Sequence, residues 1–98
     1  MDLCNIREIK ALLGRHGFHF SKSMGQNFLI AGWVPQDIAD AAGLDKSCAV
    51  LEIGPGIGPL TRQLSLRAGK VAAVELDSSL LPILRETLAD CSNVEVIP

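Results

Sequence analysis

The densest chemistry in this sequence lies in Glu52-Ile53-Gly54-Pro55-Gly56-Ile57-Gly58. These residues follow a short apolar run and precede a stretch of helical period, so they stand where a strand hands over to a helix. Glycines there let a ligand approach the backbone closely, with no Cβ in the way. The helix that follows offers free N–H groups. Twenty-one residues beyond Gly54 lies Glu75, at the end of a second apolar run. A carboxylate at that point accepts two hydrogen bonds from a ribose diol. Together these features describe a nucleoside site, with a glycine loop under the sugar and an acid on its hydroxyls. Each has a plainer reading alone: a glycine-rich turn is often only a turn, and a strand-end Glu is often only solvated. The joint spacing, in a strand–loop–helix–strand context, favours the site.

Two cofactors compete for it. A dinucleotide calls for GxGxxG, but Pro59 occupies the sixth position and the fingerprint fails. The spacing present is GxGxG with an acid before it, the pattern of S-adenosylmethionine (SAM) sites. SAM has no pyrophosphate, so it depends less on anion binding by the helix N-terminus. A carboxylate at Glu52 suits the cationic methionine ammonium of SAM, directly or through water, and would repel a pyrophosphate.

The elements that must position these residues are legible from periodicity. Ile6, Ile9 and Leu13 predict a helix over 5–14, ended by Gly14 and Gly17. Residues 16–27 are polar, without a clear period, and read as a loop. Ile30, Val34, Ile38 and Ala41 form a second helical stripe, ended by Gly43; Trp33, beside that stripe, is expected to pack. CAVLEI (48–53), KVAAVEL (70–76) and VEVI (94–97) are strand-length apolar runs. Between them Ile57, Leu60, Leu64 and Ala68, then Leu80, Leu84 and Leu88, return to helical spacing. Ser78 or Ser79 is the expected cap of the last helix, and Pro82 is tolerable in its first turn. Strands alternating with helices imply βαβ units and a parallel sheet, half of a doubly wound fold.

Composition narrows the class. With 98 residues, 48% hydrophobic and 20% charged, the chain is one small globular domain at most. No apolar run reaches the roughly 18 residues of a membrane span, and the first residues, MDLCNIREIK, lack a signal-like apolar core. Three cysteines (Cys4, Cys48, Cys91), none in CxxC spacing, and two histidines (His16, His19) argue against a disulfide framework or metal site. A cytoplasmic protein with reduced thiols is expected. The net charge of −2 hides a basic arm over 1–32, at +2, and an acidic body over 33–98, at −4. That asymmetry hints at a polyanion partner, although an ordinary solvated surface explains it equally well. His16 and His19, with Arg15 and Lys22, are candidates for RNA phosphate contacts that would fade with salt.

A further segment carries a resemblance. Ser23-Met24-Gly25-Gln26-Asn27-Phe28-Leu29-Ile30, followed by VLEIGPGIGPLT and VAAVELD, resembles the KsgA family of ribosomal RNA adenine N6-dimethyltransferases over essentially the whole chain. The resemblance implies a Rossmann-like SAM-dependent methyltransferase fold with extra N-terminal helices. Gln26, Asn27 and Leu29 match the family's segment that closes over SAM. Gly54 and Gly56 match the loop beneath the cofactor, Glu75 the acid on the ribose, and Glu52 the acid near the methionine end. Gly25 favours the small-subunit enzymes over the related large-subunit, antibiotic-resistance methyltransferases, which more often carry Ser there. Pro59 stands where the family usually has a small residue, a position that suits proline at a helix start.

The resemblance further implies methyl transfer to an exocyclic adenine nitrogen held in line with the S–CH₃ bond. The adenine is flipped out and gripped by an Asn-Leu-Pro-Tyr-like segment. No such segment occurs in these residues, nor does the acid beyond the third strand that contacts the cofactor's adenine. Residues 1–32 are thus expected to be an N-terminal helix and cofactor-closing segment. Residues 33–98 are the expected first half of the SAM-binding domain, with the remaining catalytic and C-terminal parts outside this chain. Expectations follow: no catalytic residue and no metal ligand in these residues, an inactive chain, and ribosomal RNA or a small-subunit precursor as partner of the whole enzyme. No membrane contact is expected. The uncovered edge at strand 1 invites self-association. A non-catalytic nucleotide-binding module and an NAD-binding half-domain are the competing readings.

Overall fold

In the computed structural model, residues 1–18 and 31–98 are described. Helix α1 (Ile6–Arg15) starts at Asn5, whose side chain accepts hydrogen bonds from the Arg7 and Glu8 backbone N–H groups. This satisfies two of the donors that a helix start leaves open. Gly14 lies inside the helix rather than ending it; the chain turns at Gly17, with φ of 80°. Helix α2 (Trp33–Ala41) ends before Gly43, at φ of 64°. Strand β1 (Ala49–Ile53), helix α3 (Pro59–Arg67), strand β2 (Lys70–Val74), a 3₁₀ turn (Ser78–Leu80), helix α4 (Leu81–Thr87) and strand β3 (Val94–Ile97) follow. The expected bounds of the three strands and of α1, α3 and α4 hold within two residues, whereas Ile30, which opens the stripe expected for α2, lies outside the described residues.

The strands form a parallel sheet in the order β1-β2-β3. Register pairs Val50 with Val71 and Val71 with Val94, so these valines share one face. On that face Val71 packs with Ala39, Leu64 and Ala68, flanked by Leu44, Val50, Leu60 and Val94. A second cluster joins Leu3, Ile9, Leu12 and Leu13 of the N-terminal region to Ile57, Leu80 and Ile83. Helix α1 thus belongs to the same packed body as the sheet. On the opposite sheet face, Leu51 and Ile53 are 65% and 70% exposed, and β1 is an edge strand.

Two local expectations are corrected. In α2 the buried residues are Pro35 and Ala39, whereas Ile38 and Trp33 are 49% and 66% exposed. Helix α2 packs against α3 through its small residues, and the bulky stripe is turned away. The start of the last helical segment is capped by Asp77, whose Oδ1 accepts the Ser79 N–H at 3.0 Å, rather than by a serine. Pro82 falls in the first turn of α4, where its missing N–H costs no helical hydrogen bond.

Gly69 is required where α3 turns into β2. A Cβ there would lie 2.1 Å from the Lys46 carbonyl oxygen, and the Gly69 N–H donates to the Cys48 carbonyl at 3.0 Å. The backbone itself fills the space a side chain would need.

Candidate functional site

The site lies at the carboxyl ends of the strands, where open α/β sheets bind ligands. Beyond Ile53 the chain continues the ladder through Gly54, whose N–H donates to the Val74 carbonyl at 2.8 Å. It then reverses through Gly54, Gly56 and Gly58, with φ of 72°, 62° and 101°. These left-handed values disfavour any side chain with a Cβ. At Gly54 a Cβ would meet nothing within 4 Å, so its conformation, not crowding from the protein, calls for glycine. Pro59 then occupies the first position of α3.

Glu75 is the acid of this site, and the fold brings it against the loop. It is 8% exposed, just past the end of β2, and its own N–H donates to the Ile97 carbonyl at 2.9 Å. One carboxylate oxygen accepts the Gly56 N–H at 3.2 Å and the other accepts the Asp77 N–H at 3.1 Å. The carboxylate therefore latches the end of β2 to the glycine loop. Each oxygen has two lone pairs, so one acceptor position on each remains for a diol.

Glu52 sits two residues before the loop, on the sheet face that carries the helices. Its row neighbours on β2 and β3 are Ala73 and Val96. The Thr61 hydroxyl, 0% exposed, donates to Glu52 Oε1 at 2.5 Å. Burial pushes the Glu52 carboxyl above its ordinary range, and the Thr61 hydrogen bond opposes this in part. Among the described residues no basic side chain pairs with it. Thr61 was not singled out from the sequence. The available signal was a polar residue on a buried helical stripe, at 57, 61, 64 and 68.

Gln26, Asn27 and Leu29 lie outside the described residues, as do His19 and Lys22. Arg15 and His16 both pair with Glu86, the His16 contact at 3.1 Å, and these contacts hold the Glu86 carboxyl below its usual range. Among the described residues no three potential ligands gather into a metal site, and no helix is long and apolar enough to cross a membrane. A cleft of about 390 Å³ lies at the amino ends of the strands, away from the glycine loop. Its polar groups serve the fold. Lys46 Nζ donates to the Leu66 and Ala68 carbonyls, and Asn93 Nδ2 donates to those of Ser65 and Ala68, closing the end of α3.

Solved structures share this fold. A tRNA (m1A58) methyltransferase, TrmI from Aquifex aeolicus, superposes with a TM-score of 0.66 at 27% identity over 95% of this chain and 35% of its own. The 23S rRNA methyltransferase ErmE does so with a TM-score of 0.62 at 44% identity, over 65% of this chain and 26% of its own. The fold is that of the Rossmann-like SAM-dependent methyltransferases. Within that class, the model of the ribosomal RNA adenine dimethylases matches residues 17–98, and the chain belongs to this family. A ribosomal RNA small subunit methyltransferase A from Geobacillus thermodenitrificans is 51% identical over 96 residues, 98% of this chain. The chain spans about a third of the length of such relatives, 33% in that case.

Proposed function

We propose that this chain supplies the cofactor-binding part of a SAM-dependent enzyme that dimethylates adenine N6 in small-subunit ribosomal RNA. The observation that carries the reading is the Glu75 carboxylate joined to Gly56 at the strand ends, in a member of this family. Glu75 takes the ribose hydroxyls, and Gly54 and Gly56 let the cofactor lie against the loop. Glu52 faces the methionine ammonium, and Gln26, Asn27 and Leu29 close over the bound cofactor. Residues 1–32 act as the closing segment and 33–98 as the first half of the SAM-binding domain. The cofactor supplies an activated methyl group, and the protein's contribution here is to bind and orient it.

The 98 residues alone are inactive and bind SAM weakly. The whole enzyme is cytoplasmic and acts on ribosomal RNA or a small-subunit precursor. Similarity to a 23S rRNA methyltransferase supports a second reading, a large-subunit target. One experiment separates the two. A chimera carrying these residues in place of the matching third of the Geobacillus relative is given radiolabelled SAM and unmethylated small- or large-subunit RNA. Label in small-subunit adenine is expected. Label in the large-subunit RNA alone would establish the second reading, and a chimera that folds but neither binds SAM nor transfers methyl would refute both. The exposed Leu51–Ile53 face also supports self-association of the isolated chain; sedimentation showing a monomer at high concentration would overturn this.

A further inference from the structure

Thr61 is polar, yet it is fully buried on the apolar stripe of α3, at the third residue of the helix. Valine would fill the same volume without the cost of burying a hydroxyl. The hydroxyl makes one contact that repays its burial, a 2.5 Å hydrogen bond to Glu52 Oε1. No other polar side chain near Glu52 competes for that role among the described residues. Its sheet neighbour on β2 is Ala73, and the next residue in that row, on β3, is Val96. Arg62, the next residue of α3, is turned to Asp90 and the Thr87 carbonyl. Glu75 is held by backbone N–H groups of Gly56 and Asp77.

We propose that Thr61 is a positioning residue of the cofactor site: its hydroxyl fixes the Glu52 carboxylate in the orientation that receives the cofactor's ammonium. The role of Glu52 rests on the function proposed above. Thr61 touches no cofactor itself; it acts through Glu52. A donor to one carboxylate oxygen restricts the side chain's rotation and leaves the second oxygen for the ligand. The same bond favours the ionised carboxylate, the form that attracts a cation.

The test uses the 98-residue chain and the isosteric variant Thr61→Val, with Thr61→Ser as the rescue. Amide spectra establish that each variant folds. The Glu52 carboxyl carbon is then titrated by NMR without ligand, and SAM is added at several pH values, its binding followed by shifts at Gly54 and Gly56. In T61V the Glu52 midpoint is expected to rise, and SAM to bind about tenfold more weakly near neutral pH, as loss of one charge-assisted hydrogen bond implies. T61S is expected to stay within about twofold of the parent, since it keeps the donor. An unchanged Glu52 midpoint in T61V, or unchanged SAM affinity across the pH range in a parent that binds, overturns the proposal. A parent that binds no SAM at any pH, with the Glu52 midpoint still moving in T61V, instead overturns the reading of the site on which it rests.

Discussion

Replacing Glu75 with alanine removes the side chain that ties the end of β2 to the glycine loop. Two hydrogen bonds to a carboxylate are lost, at 3.2 Å from Gly56 and 3.1 Å from Asp77. Hydrogen bonds to charged groups contribute about 1.5–3 kcal/mol each. The two losses do not carry equal weight. Asp77 is exposed, so water replaces the carboxylate there, whereas Gly56 is half-buried and its N–H is poorly rehydrated. We expect a cost of about 2–3 kcal/mol for Glu75→Ala. For a domain of this size that corresponds to a fall in Tm of roughly 10–15 °C. Glu75→Gln keeps one acceptor but turns an NH₂ group toward the other N–H, so its cost is about 1–2 kcal/mol. Urea unfolding followed by circular dichroism measures both, and the Gly56 amide shift reports the loop directly. SAM binding is expected to fail in both variants, because the diol loses its paired acceptors. If Glu75→Ala unfolds within about 0.5 kcal/mol of the parent and the Gly56 amide does not move, the latch contributes nothing and the reasoning fails.

Gly69→Ala drives a Cβ into the Lys46 carbonyl and is expected to destabilise by about 3 kcal/mol, read in the same urea series; wild-type stability would show that the α3–β2 turn relaxes freely. Arg62 holds the Asp90 carboxyl down to about 2. Because the folded value lies below the unfolded one, the stabilisation is full above the ordinary aspartate range and disappears as pH falls toward 2. Asp90→Asn should flatten that acid limb of the urea midpoint against pH. Glu52 runs the other way: with its carboxyl raised by burial, protonation favours the fold, and that contribution is lost as pH rises through the raised value. Glu52→Gln should remove this opposing slope; an unaltered profile would mean the carboxyl is solvated. Trp33, the single tryptophan, should emit like a solvated indole and be quenched freely by iodide; a blue-shifted, protected emission would contradict its 66% exposure.

The parts that were legible in the sequence share a property: their cause is local. The Gly54–Gly58 loop needs left-handed backbone, and few residues besides glycine adopt it readily. The strand runs and the Leu80–Leu84–Leu88 stripe follow from periods of two and 3.6 residues. Glu75 was placed because a βαβ unit of this length returns its second strand beside the first. Helix α2 shows the limit. Its sequence offers both a bulky stripe and a small one, and periodicity does not say which turns inward. The small face won because Pro35 and Ala39 allow close approach to α3. At the last helix the sequence pointed to Ser78 or Ser79 as the cap, and the path of the chain out of β2 put Asp77 there instead.

By itself, then, the sequence determined the alternation of strands and helices, the glycine loop and the pair of acids, Glu52 and Glu75. Each of these follows from residue type and spacing within a few turns of chain. Only the tertiary structure decided what holds those acids. Glu75 meets the Gly56 N–H across 19 residues, and Glu52 meets Thr61 across nine, because the parallel pairing of β1 with β2 and the packing of α3 on the sheet set distances that no local period encodes.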